Sequence, residues 1–194
     1  MAQLVLIRHG QTEFNQAPKR FTGFTDVDIA VEGRADAETV GQILKDTGLT
    51  FSAAYTSWLK RAWQTLDIVL PIIGQPDLQI IKHPFLNERH YGDLQGQYHS
   101  DLIAEVGEEQ VHTWRRSYAV RPPNGESLED VVYRTSYYLE NEIFPRVRAG
   151  ENVLVSAHGN SIRGIIKYLD NVSNEDIVGR EISYTEPLFY EFTN

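Results

Sequence analysis

The chain has 194 residues, 41% of them hydrophobic, no cysteine and a formal net charge of −9, a size that suits one domain with a substantial core. The missing cysteines exclude disulfides and thiol catalysis and fit a reducing compartment; the acidic balance, with no Lys/Arg run, argues against nucleic-acid partners. The N-terminal apolar run is far too short for a signal peptide or a span of roughly 20 residues, so a soluble, cytoplasmic protein with no membrane partner is expected.

Leu4-Val5-Leu6-Ile7 reads as a strand covered on both faces, and it delivers Arg8, His9 and Gly10 into a polar turn. Ligands collect at such strand ends, and Gly10 is expected to let the backbone approach one closely. Residues 11–28 are polar, carry Pro18 and Gly23, and suit a loop over a site, with Thr12, Asn15, Thr22 and Gly23 as candidates to face a ligand. Val40, Ile43 and Leu44 at helical spacing predict a helix over 31–47. A short strand over 51–55 leads through Thr56-Ser57 into a helix whose apolar face is Ala62, Leu66, Val69, Leu70 and Ile73. Arg61 lies near that helix's start, where free amides, the macrodipole and a planar guanidinium all favour a phosphate.

Residues 78–81 predict another strand, after which Pro84 forces an irregular path into Leu86-Asn87-Glu88-Arg89-His90-Tyr91-Gly92. Residues 100–117 read as helical with a break near Gly107, and Arg121-Pro122-Pro123-Asn124-Gly125 is a breaker. Ser127 opens one long helix carrying Val131, Val132, Tyr138, Leu139 and Ile143. The strand Asn152-Val153-Leu154-Val155-Ser156-Ala157 then runs into His158-Gly159-Asn160, repeating the design of the first strand. A helix with Ile162, Ile165, Ile166 and Leu169, a helical turn near Glu175 and a strand over 187–192 follow. Strands alternating with helices, with no repeat or linker, predict a three-layer α/β sandwich with a mainly parallel central sheet. Strand order is not legible, but two strand-end histidines imply one shared site.

Arg8-His9-Gly10 and His158-Gly159 resemble the histidine phosphatase superfamily. Five stretches in order resemble its cofactor-dependent phosphoglycerate mutase branch: Arg20-Phe21-Thr22-Gly23, Tyr55-Thr56-Ser57-Trp58-Leu59-Lys60-Arg61-Ala62, Leu86-Asn87-Glu88-Arg89-His90-Tyr91-Gly92, Trp114-Arg115-Arg116-Ser117-Tyr118 and His158-Gly159-Asn160-Ser161. The resemblance covers nearly the whole chain and implies a phosphoglycerate mutase-like fold.

It also implies roles. His9 would attack phosphorus and hold the phosphoryl group, while Arg8 and Arg61 surround its oxygens and keep His9 neutral. His158 would bind phosphoryl oxygens as a cation. Glu88 would exchange a proton with the leaving and attacking oxygens; the plain alternative is an ion pair with Arg89 or Arg116. Tyr91, Arg115 and Arg116 would contact the substrate carboxylate, with Asn15, Thr22, Gly23, His99, Gly159 and Asn160 completing the substrate site. The implied reaction interconverts 3-phosphoglycerate and 2-phosphoglycerate, primed by 2,3-bisphosphoglycerate, and the implied partner is a small phosphorylated carboxylic acid. No metal is expected, since the six histidines show no paired helical ligand spacing; homo-oligomer formation is left open.

The chain departs from the mutase pattern in places. Ala30 stands where the family usually has a capping hydroxyl, and His99 stands where similar mutases carry lysine. The stretch 121–124 is short, and Asn124-Gly125-Glu126-Ser127 looks like a turn of the phosphatase branch. The sequence stops at Asn194, soon after the final strand, which leads to an expectation that a phosphohistidine here leaks more to water than in a long-tailed relative. A phosphohistidine phosphatase is therefore the alternative, with a noncatalytic phosphate-binding module ranked below it because the chain lacks a P-loop and a Gly-x-Gly-x-x-Gly turn.

Overall fold

A computed structural model describes residues 1–193 of the chain; Asn194, on which the expectation about the chain's end rests, lies outside the described residues. Five strands form one sheet: β1 (Ala2–Arg8), β2 (Ala53–Thr56), β3 (Ile80–Lys82), β4 (Val153–Ala157) and β5 (Leu188–Phe192), in the order β3-β2-β4-β1-β5. All neighbours are parallel except β5, which runs antiparallel to β1 at the edge. The mixed α/β sheet matches the expected class, while β2 and β3 begin about two residues later than the sequence suggested.

Helices α1 (Val31–Asp46) and α2 (Lys60–Ile72) cover one face, packing Ala37, Val40, Leu44, Leu66, Val69 and Leu70 against Val5, Ile7, Ala54 and Leu154. On the other face lie α5 (Leu128–Tyr138), α6 (Phe144–Arg148) and α7 (Gly159–Asp170), whose Val131, Val147, Ile162 and Ile166 join a core with Leu4, Leu6, Val153 and Val155. The unbroken apolar run of β1 thus has a physical reason, because alternate residues enter two different cores. Each fully buried Val, Leu or Ile contributes about 1.5–3 kcal/mol relative to exposure, so a one-residue slip of β1 would be strongly disfavoured.

Two short helices, α3 (His99–Val106) and α4 (Glu108–Arg116), stand apart from the sheet and break at Gly107 as the sequence indicated; they pack Leu102 and Val111 on Phe21 and Leu94. Helix α8 (Asn174–Gly179) follows α7. The long helix expected from Ser127 instead divides: α5 passes through a π-helical stretch, Leu139–Ile143, into α6. Pro145 cannot supply an amide hydrogen to the turn before it, and the wider π turn absorbs that loss. Ala30 precedes α1 without a side-chain cap, as expected. No helix among the described residues is long and apolar enough to cross a membrane.

Candidate functional site

The parallel register pairs Arg8 with Ala157, so the residues that follow, His9 and His158, emerge side by side from the ends of β1 and β4. His9 N donates to Ala157 O at 2.9 Å, which extends the ladder by one step. The imidazole centroids are 4.9 Å apart, and both rings are buried. Nδ1 of His9 donates to Gly10 O at 2.7 Å, which leaves Nε2 with the lone pair.

His158 Nε2 lies 2.7 Å from Ser57 Oγ, which itself accepts from Leu59 N at 3.1 Å. Ser57 is fully buried, and the His158 nitrogen is the acceptor its hydroxyl proton has. Hydrogen-bond satisfaction therefore puts the His158 proton on Nδ1. Burial lowers the pKa of His158 well below the ordinary 6.5, and Arg61 lowers it further. The expected His158 cation is thus corrected to a neutral donor. His9 is likewise held neutral, by burial first and then by Arg61 and Arg8.

Arg8 spends its terminal nitrogens on Ile182 O at 2.7 Å and Tyr184 OH at 2.8 Å, with its guanidinium 3.8 Å from the Tyr184 ring centre. Arg61, in the first turn of α2, donates to Thr25 O at 3.0 Å and Gly23 O at 2.8 Å. Burial lowers its pKa to about 10, so it remains a cation at neutral pH. Among the described residues, four buried side-chain polar atoms have no hydrogen-bond partner, and three of them are Arg8 Nε, Arg61 Nε and His158 Nδ1. Each such group costs about 1–3 kcal/mol when left unpaired, and all three are donors beside His9. The arrangement fits an anion.

Glu88 makes neither of the ion pairs weighed from sequence: Arg89 donates to the carbonyls of Glu126 and Trp114, and Arg116 pairs with Glu181. Instead Glu88 Oε1 accepts from Arg89 N, Asn160 N and Asn160 Nδ2 at 2.8, 3.1 and 3.0 Å. Oε2 makes no hydrogen bond among the described residues, and Glu88 lines a pocket of about 250 Å³. His9, Glu88 and His158 also offer three possible metal-ligand atoms within 4.8 Å of one another, but the cations Arg8 and Arg61 beside both rings favour an anion over a divalent cation.

That pocket is lined by Arg8, Asn15, Thr22, Gly23, Glu88, Tyr91, His99, Arg115, Arg116, Gly159 and Asn160, all named from sequence. His9, Arg61 and His158 are at most 2% exposed and sit behind this lining. Asn15 turns Oδ1 back onto Thr12 N and Oγ1, so the buried Thr12 braces the loop and does not face the pocket. Gly10 has a packing role: a side chain there would meet Gly33 O at 2.1 Å, so glycine is needed for the close contact with α1. Gly23 has φ +51° and a side chain would strike Gln95, which keeps its carbonyl on Arg61. His99 packs edge-on against Phe21, and burial, Arg115 and Lys19 lower its pKa to about 4, making it a neutral member of the pocket.

A family model described as the histidine phosphatase superfamily (branch 1) matches residues 4–194. The chain belongs to that superfamily. A 2,3-bisphosphoglycerate-dependent phosphoglycerate mutase from Bartonella bacilliformis is 48% identical over 189 residues, covering 97% of this chain and 91% of that protein. One from Parvibaculum lavamentivorans is 48% identical over 188 residues, covering 97% and 89%. These relatives put the chain in the mutase family of the histidine phosphatases. Among solved structures, Bacillus stearothermophilus YhfR superposes with a TM-score of 0.86 at 25% identity, over 100% of this chain and 92% of that one. A mycobacterial glucosyl-3-phosphoglycerate phosphatase gives 0.82 at 23% identity, over 97% and 89%, a likeness of fold alone.

This histidine phosphatase also lines its pocket with residues to which the sequence reading gave no role: Lys19, Arg20, Arg163, Glu181 and Tyr184, with Ser57 behind them. Arg163 could have been found, since it lies one helical turn beyond Gly159 and Asn160 on α7. Arg20 lay inside a quoted motif and is held between the Phe14 and Tyr98 rings. Glu181 and Tyr184 carried no sequence signal, because they sit in the irregular stretch between α8 and β5.

Proposed function

We propose that this protein interconverts 3-phosphoglycerate and 2-phosphoglycerate through a phosphohistidine on His9. The observation that carries the reading is the set of three unpartnered buried donors, Arg8 Nε, Arg61 Nε and His158 Nδ1, around a neutral His9. In the lining of the same pocket, the Lys19 and Arg115 side chains have no hydrogen-bond partner among the described residues and suit a carboxylate.

His9 Nε2 attacks phosphorus in line with the leaving alcohol oxygen, while Gly10 O holds the proton on Nδ1. Charge on the equatorial oxygens is met by Arg8, Arg61 and the neutral His158 N–H, which are fixed before reaction and need no reorganisation. Glu88, anchored through Oε1, gives a proton from Oε2 to the leaving oxygen and later takes one from the accepting hydroxyl. When bound, 2,3-bisphosphoglycerate supplies the phosphoryl group that primes His9, and the anion-fitted donors together with the free cations of the pocket lining suit its charge. The reading carries with it a single catalytic domain, a cytoplasmic location, a place in glycolysis and gluconeogenesis, and chemistry without a metal.

A second reading is favoured by one observation: Arg116 is already paired with Glu181, which leaves fewer cations for a second substrate anion. A phosphohistidine phosphatase would use the same donors, with water as acceptor. Incubation with 3-phosphoglycerate after priming separates the two. The mutase reading expects 2-phosphoglycerate as the main product; inorganic phosphate as the main product supports the phosphatase.

A further inference from the structure

Glu181 stands among the cations of the pocket, and its backbone is fastened on both sides. Arg163 Nε donates to Arg180 O at 2.6 Å, Arg8 donates to Ile182 O at 2.7 Å and to Tyr184 OH at 2.8 Å, and the Ile182 side chain is buried in the core. The Glu181 carboxylate consequently meets Arg116 at 2.8 Å and approaches Arg163 at 3.9 Å. Arg116 gives its other terminal nitrogen to Val178 O at 3.2 Å. Of the two adjacent arginines read as substrate contacts, Arg115 alone is left without a partner among the described residues.

The Glu181 side chain is 72% exposed, so the ion pair is weak and a ligand can open it. The negative charge, however, stays in the pocket wall, because the chain on either side cannot withdraw. We infer that Glu181 is a specificity-determining residue: its carboxylate occupies an arginine that would otherwise bind substrate and ranks ligands by the negative charge they carry away from the reacting phosphate. The inference rests on the phosphoglycerate reading and deepens it. A monophosphate with one carboxylate can be met by Arg115 and Lys19. A bisphosphate brings further charge towards Glu181 and is held less well than in a pocket with both arginines free.

The test is equilibrium binding by calorimetry to protein carrying His9→Ala, which stops transfer to the nucleophile, with and without Glu181→Gln. Glycerol 3-phosphate, 3-phosphoglycerate and 2,3-bisphosphoglycerate form a series of rising distal charge. Glu181→Gln is expected to leave the first dissociation constant unchanged, tighten the second about 3-fold and the third about 10-fold. An equal change for all three ligands marks a packing effect and overturns the inference, as does an unchanged dissociation constant for 2,3-bisphosphoglycerate. If neither phosphoglycerate binds either protein, the functional reading itself falls and the inference with it.

Discussion

Ser57 Oγ and His158 Nε2 are 2.7 Å apart in a fully buried contact, and this one hydrogen bond decides which His158 nitrogen faces the phosphoryl site with a proton. Replacing Ser57 by Ala removes the donor to Nε2 and lets the proton shift there, so Nδ1 loses its ability to donate. We expect kcat/KM to fall about 10-fold or more, with Ser57→Thr retaining most activity. Nitrogen NMR of His158 should show the proton on Nδ1 in the native protein and a mixture in Ser57→Ala. Native activity in Ser57→Ala would remove this serine from the account.

Arg115 is the free arginine of its pair, whereas Arg116 is engaged. Arg115→Ala should therefore weaken turnover of phosphoglycerates by roughly 1.5 to 3 kcal/mol and leave an uncharged aryl phosphate nearly unaffected. Arg116→Ala should cost less on the same substrates. Steady-state kinetics on the two substrate types checks this, and equal losses on both substrates would reject a carboxylate-reading role for Arg115.

Tyr184 places its ring edge-on to His9 with centroids 6.1 Å apart and covers Arg8. The ring is thereby placed to keep water from a phosphorylated His9. Tyr184→Ala should raise the fraction of phosphoenzyme lost to hydrolysis, and Tyr184→Phe, which keeps the ring, should raise it less. Partitioning of the phosphoenzyme between transfer and hydrolysis measures both. A fraction unchanged in Tyr184→Ala would place the closure elsewhere.

The buried histidines set the sign of the acid response. His99 has a folded pKa of about 4 against 6.5 for an exposed imidazole, through burial first and then Arg115 and Lys19. Between those values the unfolded chain binds more protons than the folded one, so stability is lost as pH falls from 6.5 towards about 4. His9 and His158, both lowered by burial, act in the same direction. His99→Gln should reduce the drop in melting temperature between pH 7 and pH 5. A larger drop in the variant would reverse the assigned sign.

The two histidines were legible because each follows an apolar run that fits a doubly covered strand. Their adjacency was not, since it depends on β4 lying beside β1 with Arg8 opposite Ala157, and strand order has no local signature. The packing role of Gly10 was not legible because its close neighbour, Gly33, comes from a different element. The charge of His158 depends on burial and on Arg61, neither of which is visible in the His-Gly pair itself. Glu181 and Tyr184 are brought to the site by an irregular segment without periodicity, and the π stretch at Leu139–Ile143 reflects Pro145 acting on the turns before it.

The central claim is that His9 carries the phosphoryl group between donor and acceptor. Intact-mass measurement after neutral quenching, on protein exposed to 2,3-bisphosphoglycerate and then chased with 3-phosphoglycerate, tests it most directly. With an oxygen-18-labelled donor, the native protein should gain one phosphoryl group and stay singly phosphorylated through the chase while the label passes to phosphoglycerate, because each turnover returns a phosphoryl group to His9; His9→Ala gains none. A phosphoryl adduct that persists in His9→Ala, or none in the native protein, would contradict the account.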